Sequence, residues 1–305
     1  MFYINSESGS GKLRDRALLT AGKEKRKSFF RERRKTAPGA FSLLNRGRAF
    51  ILCAVFTVLV AVVLAPLAHA GVNTPYNWYC KNNDRHEIPV LDECMKFIEK
   101  YNVIYADKNA DDSDKVVYLT FDAGYENGNI EKVLDILDKN DVPATFFILE
   151  NMIKRAPELV KRMADGGYTV ANHTKSHPDM SAITDKALFE RQLTALSDAY
   201  KELTGKDMAM IYRPPQGRFS EQNLEFADSL GYTTMFWSFA YADWDNNKQP
   251  DPQKALDKIL SHLHNGEIML LHPTSATNAL ILESLIQQIR AQGYRIGSVE
   301  ELCGR

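Results

Sequence analysis

Residues 116–128 read VVYLTFDAGYENG, from Val116 to Gly128. A run of β-branched and aromatic residues ends in an aspartate, Asp122, and then breaks into a turn rich in glycine, asparagine and acid. Such a run is a buried strand that stops at a loop. The pattern then recurs. ATFFIL (144–149), YTVAN (168–172), MAMIY (208–212), YTTMFWSF (232–239), EIMLL (267–271) and YRIGSV (294–299) are further short apolar runs. Amphipathic stretches lie between them, among them NIEKVLDILDKN and TDKALFERQLTALSDAYKELTG, with Thr184 as the expected N-cap of the second and Gly205 as its expected stop. Strands alternating with helices over roughly 190 residues specify an α/β fold, a parallel barrel or a doubly wound sheet.

The chain upstream of this repeat has a different character. Residues 1–48 carry thirteen Lys and Arg against four Asp and Glu, and the uncharged run AFILCAVFTVLVAVVLAPL follows at 49–67. A run of about 18 or more apolar residues can span a bilayer, and basic residues before it hold that side in the cytoplasm. Ala68-His69-Ala70 has the small-x-small form of a signal-peptidase site, so the run reads either as a membrane anchor or as a signal peptide cleaved near Ala70. Both readings place the remainder of the chain outside the cytoplasm. Residues 71–114 are mixed and polar and read as a stalk or N-terminal extension with one helix around Leu91–Tyr101, ahead of a catalytic domain at 115–305. The 305-residue chain has a formal net charge of -1, which gives no reason to expect nucleic acid as a partner. Three cysteines, Cys80, Cys94 and Cys303, lie in the exported part, so one disulfide and one free thiol is the expectation, with the pairing left open.

In α/β barrels the C-terminal ends of the strands form one reactive rim. Asp122, His173, Arg213, Asp243 and His272 each close or follow a strand here, so five strands deliver an ionisable group to one face. His173 and His177 have H-x-x-x-H spacing, which puts both imidazoles on one side of a helical turn, where they can bind a divalent cation. Arg213 precedes Pro214 and Pro215, whose fixed φ stiffens its loop. Trp244 beside Asp243 suits a sugar face and equally a core. An aspartate and a histidine on one rim, Asp122 and His272, are the base and acid that amide hydrolysis requires.

Taken in order, TFDAG, HTKSH, RPPQG, ADW and LLHP resemble the motifs of the polysaccharide deacetylase family, carbohydrate esterase family four. The resemblance covers Val116 to about Leu302 and implies a distorted parallel (β/α) barrel of about seven strands. The extended TFDxGYENG form is most similar to the peptidoglycan N-acetylmuramic acid deacetylases, which form the muramic δ-lactam of spore cortex. It implies Asp122 as catalytic base, His272 as catalytic acid, Arg213 orienting Asp122, and Asp243 as the partner of that network. It also implies His173 and His177 as ligands of a divalent metal such as zinc, and Leu271 and Trp244 as walls of the acetyl-methyl pocket. Three positions depart from the family pattern. Ala123 replaces the aspartate that is the usual third metal ligand, so the ion is left with the two histidines and water, with Asp122, or with Glu126. Gln216 replaces the usual tyrosine of the third motif, where the backbone N–H contributes to an oxyanion hole. Ala240 replaces the first acid of the fourth motif. The implied activity is removal of N-acetyl groups from peptidoglycan strands, first from N-acetylmuramic acid. The alternatives are N-acetylglucosamine as substrate, or a silent carbohydrate-binding barrel.

Overall fold

The computed structural model describes residues 71–83 and 85–304. The basic region, the apolar run at 49–67 and the cleavage motif at Ala70 lie outside the described residues. Among the described residues no helix is long and apolar enough to cross a membrane.

The strands in chain order are β1 (Tyr76–Asn77), β2 (Val103–Ile104), β3 (Val116–Ala123), β4 (Thr145–Ile148), β5 (Thr169–Asn172), β6 (Ile211–Tyr212), β7 (Arg218–Phe219), β8 (Thr233–Met235), β9 (Phe239–Ala240), β10 (Glu267–Leu271) and β11 (Arg295–Ile296). A parallel sheet runs in the order β2-β8-β6-β5-β4-β3-β10-β9, with β11 also pairing β3. Its two end strands do not pair with each other, so the sheet curls into an open half-barrel. Every residue of β3 is buried, because β4, β10 and β11 all pair with it and both of its faces are covered. On one face Val117, Leu119, Phe121 and Ala123 join the core beneath the helices. On the other, Val116 and Tyr118 join the core inside the curl, and Thr120 and Asp122 continue that row towards the strand's C-terminal end.

The helices follow from spacing. Helix Ile130–Asn140 buries Ile130, Val133, Leu134 and Leu137 at i, i+3, i+4 and i+7. Helix Lys186–Thr204 buries Phe189, Leu193, Leu196 and Tyr200 and stops at Gly205, which sits at φ 73°. Its cap is Asp185, one residue beyond the expected Thr184, because the Asp185 carboxylate accepts from Leu188 N at 2.7 Å. The helix expected at Leu91–Tyr101 is a 3₁₀ segment, Glu93–Lys100.

Two expected strands are shorter than their apolar runs. MAMIY contributes only Ile211–Tyr212, and YTTMFWSF divides into β8 and β9 because Phe236 and Trp237 turn inward to pack. Trp78 explains that break. It stacks on Phe236 at 4.4 Å between ring centroids and donates from Nε1 to the Trp237 carbonyl at 2.9 Å. Residues 71–114 thereby share the interior of the curl, and β2 supplies one edge of the sheet. The expected disulfide is absent: Cys80, Cys94 and Cys303 are all free thiols. The Cys80 thiol instead contacts the Trp237 carbonyl at 2.8 Å, and burial pushes its pKa up to about 12.

Candidate active site

Asp122 lies at the C-terminal end of β3, and the chain that follows turns away at once. The Glu126 carboxylate accepts from Gly128 N and from Ile130 N, so it caps the helix Ile130–Asn140. That engagement removes it from the metal site the sequence allowed for it. Arg213 follows β6, three strands away across the curl. Its side chain is fully buried and crosses the interior to reach β3, donating to Asp122 Oδ1 at 2.8 Å and Thr120 Oγ1 at 2.9 Å. The Met235 and Phe236 carbonyls each accept from it at 3.2 Å, and the Phe147 ring lies 3.9 Å beneath the guanidinium. The cation is thus bonded through Nε and both terminal nitrogens, as a buried arginine requires. Burial alone would raise the Asp122 pKa, but His173, Arg213 and His272 outweigh it and hold the carboxyl below its ordinary value.

The two histidines meet, though not on a helical turn. The loop after β5 is wound by a left-handed Thr174 (φ 75°) and a left-handed His177 (φ 58°). Thr174 N donates to Asn172 Oδ1 at 2.9 Å and His177 N to Thr174 Oγ1 at 3.0 Å, and these bonds fold the loop back on itself. The ring centroids come to 5.1 Å. His173 Nδ1 donates to the Arg213 carbonyl at 2.9 Å, which leaves Nε2 as a lone pair, 3.5 Å from Asp122 Oδ2. Burial lowers the His173 pKa to about 4 against the pull of Asp122, and burial lowers that of His177 as well. Both rings are therefore neutral near pH 7, the form that ligates a cation. They fit a divalent metal as two of its ligands. No group of three or more His, Cys, Asp and Glu side chains among the described residues is arranged to hold one. Ala123 supplies nothing there, since its methyl lies in the helix-facing core.

The opposite wall is built from β10 and the loop after β9. His272 Nδ1 donates to Asp243 Oδ1 at 2.8 Å, and His272 N to Asp243 Oδ2 at 2.7 Å. Burial disfavours the imidazolium, but the Asp243 hydrogen bond and charge, with Asp122 behind them, lift the His272 pKa above its ordinary value. With Nδ1 engaged, Nε2 is the free nitrogen.

Asp122, His173, His177, Gln216, Trp244 and His272 all line one cavity of about 820 Å³. Gln216 sits at φ 58° in the turn Pro215–Gly217. Gly217 beside it must be glycine, because a Cβ there would lie 2.8 Å from the Trp237 ring at a φ of +65°. Arg213 and Asp243 lie behind the cavity wall. Leu271 corrects the sequence reading: it belongs to the helix-facing core, while Leu270 lines the cavity. The cause is strand alternation, which sends neighbours to opposite faces. Trp244 does line the cavity, but at 63% exposure it flanks the mouth. Sequence reasoning missed Asn278, Tyr241 and Leu270. Tyr241 and Leu270 are cavity walls, and Asn278 touches Asp243 at 2.6 Å.

Comparison with known proteins gives a consistent answer. The polysaccharide deacetylase family model matches residues 109–235. The chain is 42% identical over 231 residues to an uncharacterised 30.6 kDa protein of Geobacillus stearothermophilus, covering 75% of this chain and 86% of that one. It is 38% identical over 239 residues to the peptidoglycan-N-acetylmuramic acid deacetylase PdaA of Bacillus subtilis (strain 168), covering 78% of this chain and 89% of that one. The solved structure of Bacillus subtilis PdaA, a family 4 carbohydrate esterase, superposes with a TM-score of 0.71 at 38% identity and covers 75% of this chain and 97% of that one.

Proposed function

The chain belongs to the polysaccharide deacetylase family and is a hydrolase of acetyl amide bonds, and from that premise we propose that its substrate is N-acetylmuramic acid in peptidoglycan strands free of stem peptides. One observation carries the chemistry. Asp122 and His272 line the same cavity, each fixed by its own buried partner, and their environments move their pKa values apart. A carboxyl held below its ordinary value favours its ionised form and an imidazole held above its own favours its protonated form, so the two environments set Asp122 as the base and His272 as the acid.

Asp122 is the base. Arg213 occupies Oδ1, which leaves Oδ2 to take a proton from the attacking water. The water oxygen bonds to the acetyl carbonyl carbon, and the carbonyl oxygen becomes an oxyanion on the side lined by Gln216. His272 Nε2 then donates its proton to the sugar nitrogen as the carbon–nitrogen bond breaks, releasing acetate and a free amine. Asp243 holds the imidazolium in place during that transfer. Leu270, Trp237 and Ala240 supply apolar wall for the acetyl methyl, and Trp244 at the mouth supplies an aromatic face for sugar. A divalent cation on His173 and His177 would polarise the acetyl carbonyl and lower the pKa of a bound water.

The choice of muramic acid is supported by the likeness to PdaA over most of both chains. Its place of action is the cell envelope outside the membrane, reached through the apolar run at 49–67. The test is acetate release from glycan strands stripped of stem peptides, with product mass spectrometry. Acetate together with a free amine or lactam on the muramic residue is the expected result. A free amine on the glucosamine residue would overturn the substrate, and glycan binding without acetate release, unchanged by Asp122→Asn, would overturn the catalytic reading.

A further inference from the structure

We propose that Asn278 is a positioning residue of the deacetylation reaction: its side-chain amide locks Asp243 against His272 and so fixes the geometry of the proton donor. The proposal rests on the acid role assigned to His272.

Asn278 is the third residue of helix Ala276–Ala291 and is buried. The cap of that helix needs only its backbone, because Asn278 N donates to Ser275 Oγ at 3.1 Å. The side chain is therefore spare, and an apolar residue would satisfy the inward face of the helix as Ala279 and Leu282 do. Burying an amide instead costs free energy unless each donor and acceptor finds a partner.

Its side-chain partners belong to the acid wall. One Nδ2 hydrogen goes to Asp243 Oδ2 at 2.6 Å and the other to the His272 carbonyl at 3.1 Å. Oδ1 accepts from the Tyr241 hydroxyl. This set fixes the amide orientation, since a flip would place Oδ1 against a carboxylate. The first of these is a charge-assisted bond to the same carboxylate oxygen that receives His272 N, so Oδ2 is held twice while Oδ1 faces the imidazole. Gln249 secures the same loop, with its Nε2 donating to the Asp243 carbonyl at 2.9 Å and its Oε1 accepting from Ser275 Oγ at 2.6 Å. The helix N-terminus thus grips Asp243 at two points, its carboxylate directly through Asn278 and its carbonyl through Gln249.

Other charges face His272. Asp122 from β3, Arg213 from beyond β6 and His177 from the loop after β5 act on it through space. Asp243 alone among the charged groups is hydrogen-bonded to its ring. Asn278 reaches that ring only through Asp243, so its loss leaves the carboxylate with one donor fewer and more of its charge directed at the imidazole.

The test is a set of variants read by NMR titration of the His272 ring and by pH profiles of acetate release. Asn278→Ala is expected to raise the His272 midpoint, to move the alkaline limb of kcat/KM upward by the same amount, and to lower kcat about tenfold with KM little changed, a fraction of what proton transfer contributes. Tyr241→Phe keeps both amide donors and is expected to shift the midpoint less, in the same direction. Asn278→Ser retains a hydroxyl donor, gives an intermediate shift, and serves if the alanine variant does not fold. A folded Asn278→Ala or Asn278→Ser protein whose His272 midpoint and alkaline limb match wild type overturns the proposal. A shifted midpoint with unchanged kcat/KM supports the contact but overturns the acid role of His272, so the two readings fail separately.

Discussion

The two walls of the cavity are built to different standards. On the acid wall Asp243 receives the His272 ring, the His272 backbone and the Asn278 amide, and a helix N-terminus stands behind them. On the histidine wall two imidazoles converge from one loop, and Ala123, at the position where the family resemblance implies an aspartate as third ligand, is buried in the helix-facing core. Electrostatic preorganisation is worth most where partners are fixed before the reaction begins. The acid wall and the Asp122–Arg213 pair meet that standard from protein atoms alone, whereas the histidine wall offers two neutral imidazoles.

The sharpest way to break the contrast is to remove one member from each side of the proton transfer. Asp122→Asn and His272→Gln are each expected to lower acetate release by about 10²–10⁴-fold, the usual contribution of a positioned acid or base. Their stabilities should diverge. Asp122→Asn leaves the fully buried Arg213 without its counter-ion, a change that costs about 3–5 kcal/mol, and urea unfolding should show it. His272→Gln leaves Asp243 with two remaining donors and should cost far less. Equal urea midpoints would remove the distinction. In wild type the rate should fall on the acid side only below the ordinary carboxylate range and on the alkaline side only above the ordinary imidazole range, because Asp122 is lowered and His272 raised. The stability signs agree with this window. The Asp122 contribution is lost as pH falls through its folded pKa, and the His272 contribution is lost as pH rises through its own.

The histidine wall yields an intermediate effect. Either His173→Ala or His177→Ala is expected to abolish zinc binding in calorimetry, since neither ring alone holds the ion. His173→Ala should also cost about 1–3 kcal/mol, because it takes a hydrogen bond from the buried Arg213 carbonyl, and His177→Ala should cost less because His177 is only half-buried. Zinc binding that survives either substitution would mean that other groups carry the site.

Much of this was legible in the sequence. Asp122, His173, Arg213, Asp243 and His272 are visible because a parallel strand ends near where its apolar run ends, and a polar residue at or just beyond that end stands on the rim. What was not legible depends on contacts distant along the chain or on single-residue register. Trp78 reaches Phe236 and Trp237 across about 160 residues, an association no local pattern encodes, and it is what divides YTTMFWSF into two strands. Asn278 reads as an ordinary residue in the first turn of a helix until the Asp243 loop is folded beside it. The histidine loop failed for a third reason, because H-x-x-x-H spacing says helix while the left-handed Thr174 and His177 build a different turn that serves the same convergence.

Register provides the smallest and cleanest test. Leu270 and Leu271 are adjacent and nearly equally buried, yet Leu270 lines the cavity and Leu271 packs among the helices. Leu271→Ala is expected to cost about 2–5 kcal/mol of stability, as a core truncation does, with kinetics close to wild type. Leu270→Ala removes a wall of the cavity and should raise KM severalfold, with a smaller loss of stability because water or substrate can occupy the space. Reversed behaviour of the two variants would mean that β10 is registered one residue away from its pairing with β3. A one-residue slip exchanges every inward and outward side chain of the strand. It would then also carry His272 off the rim, so the two leucines report, through stability and KM and without altering a catalytic group, on whether the acid stands where the mechanism needs it.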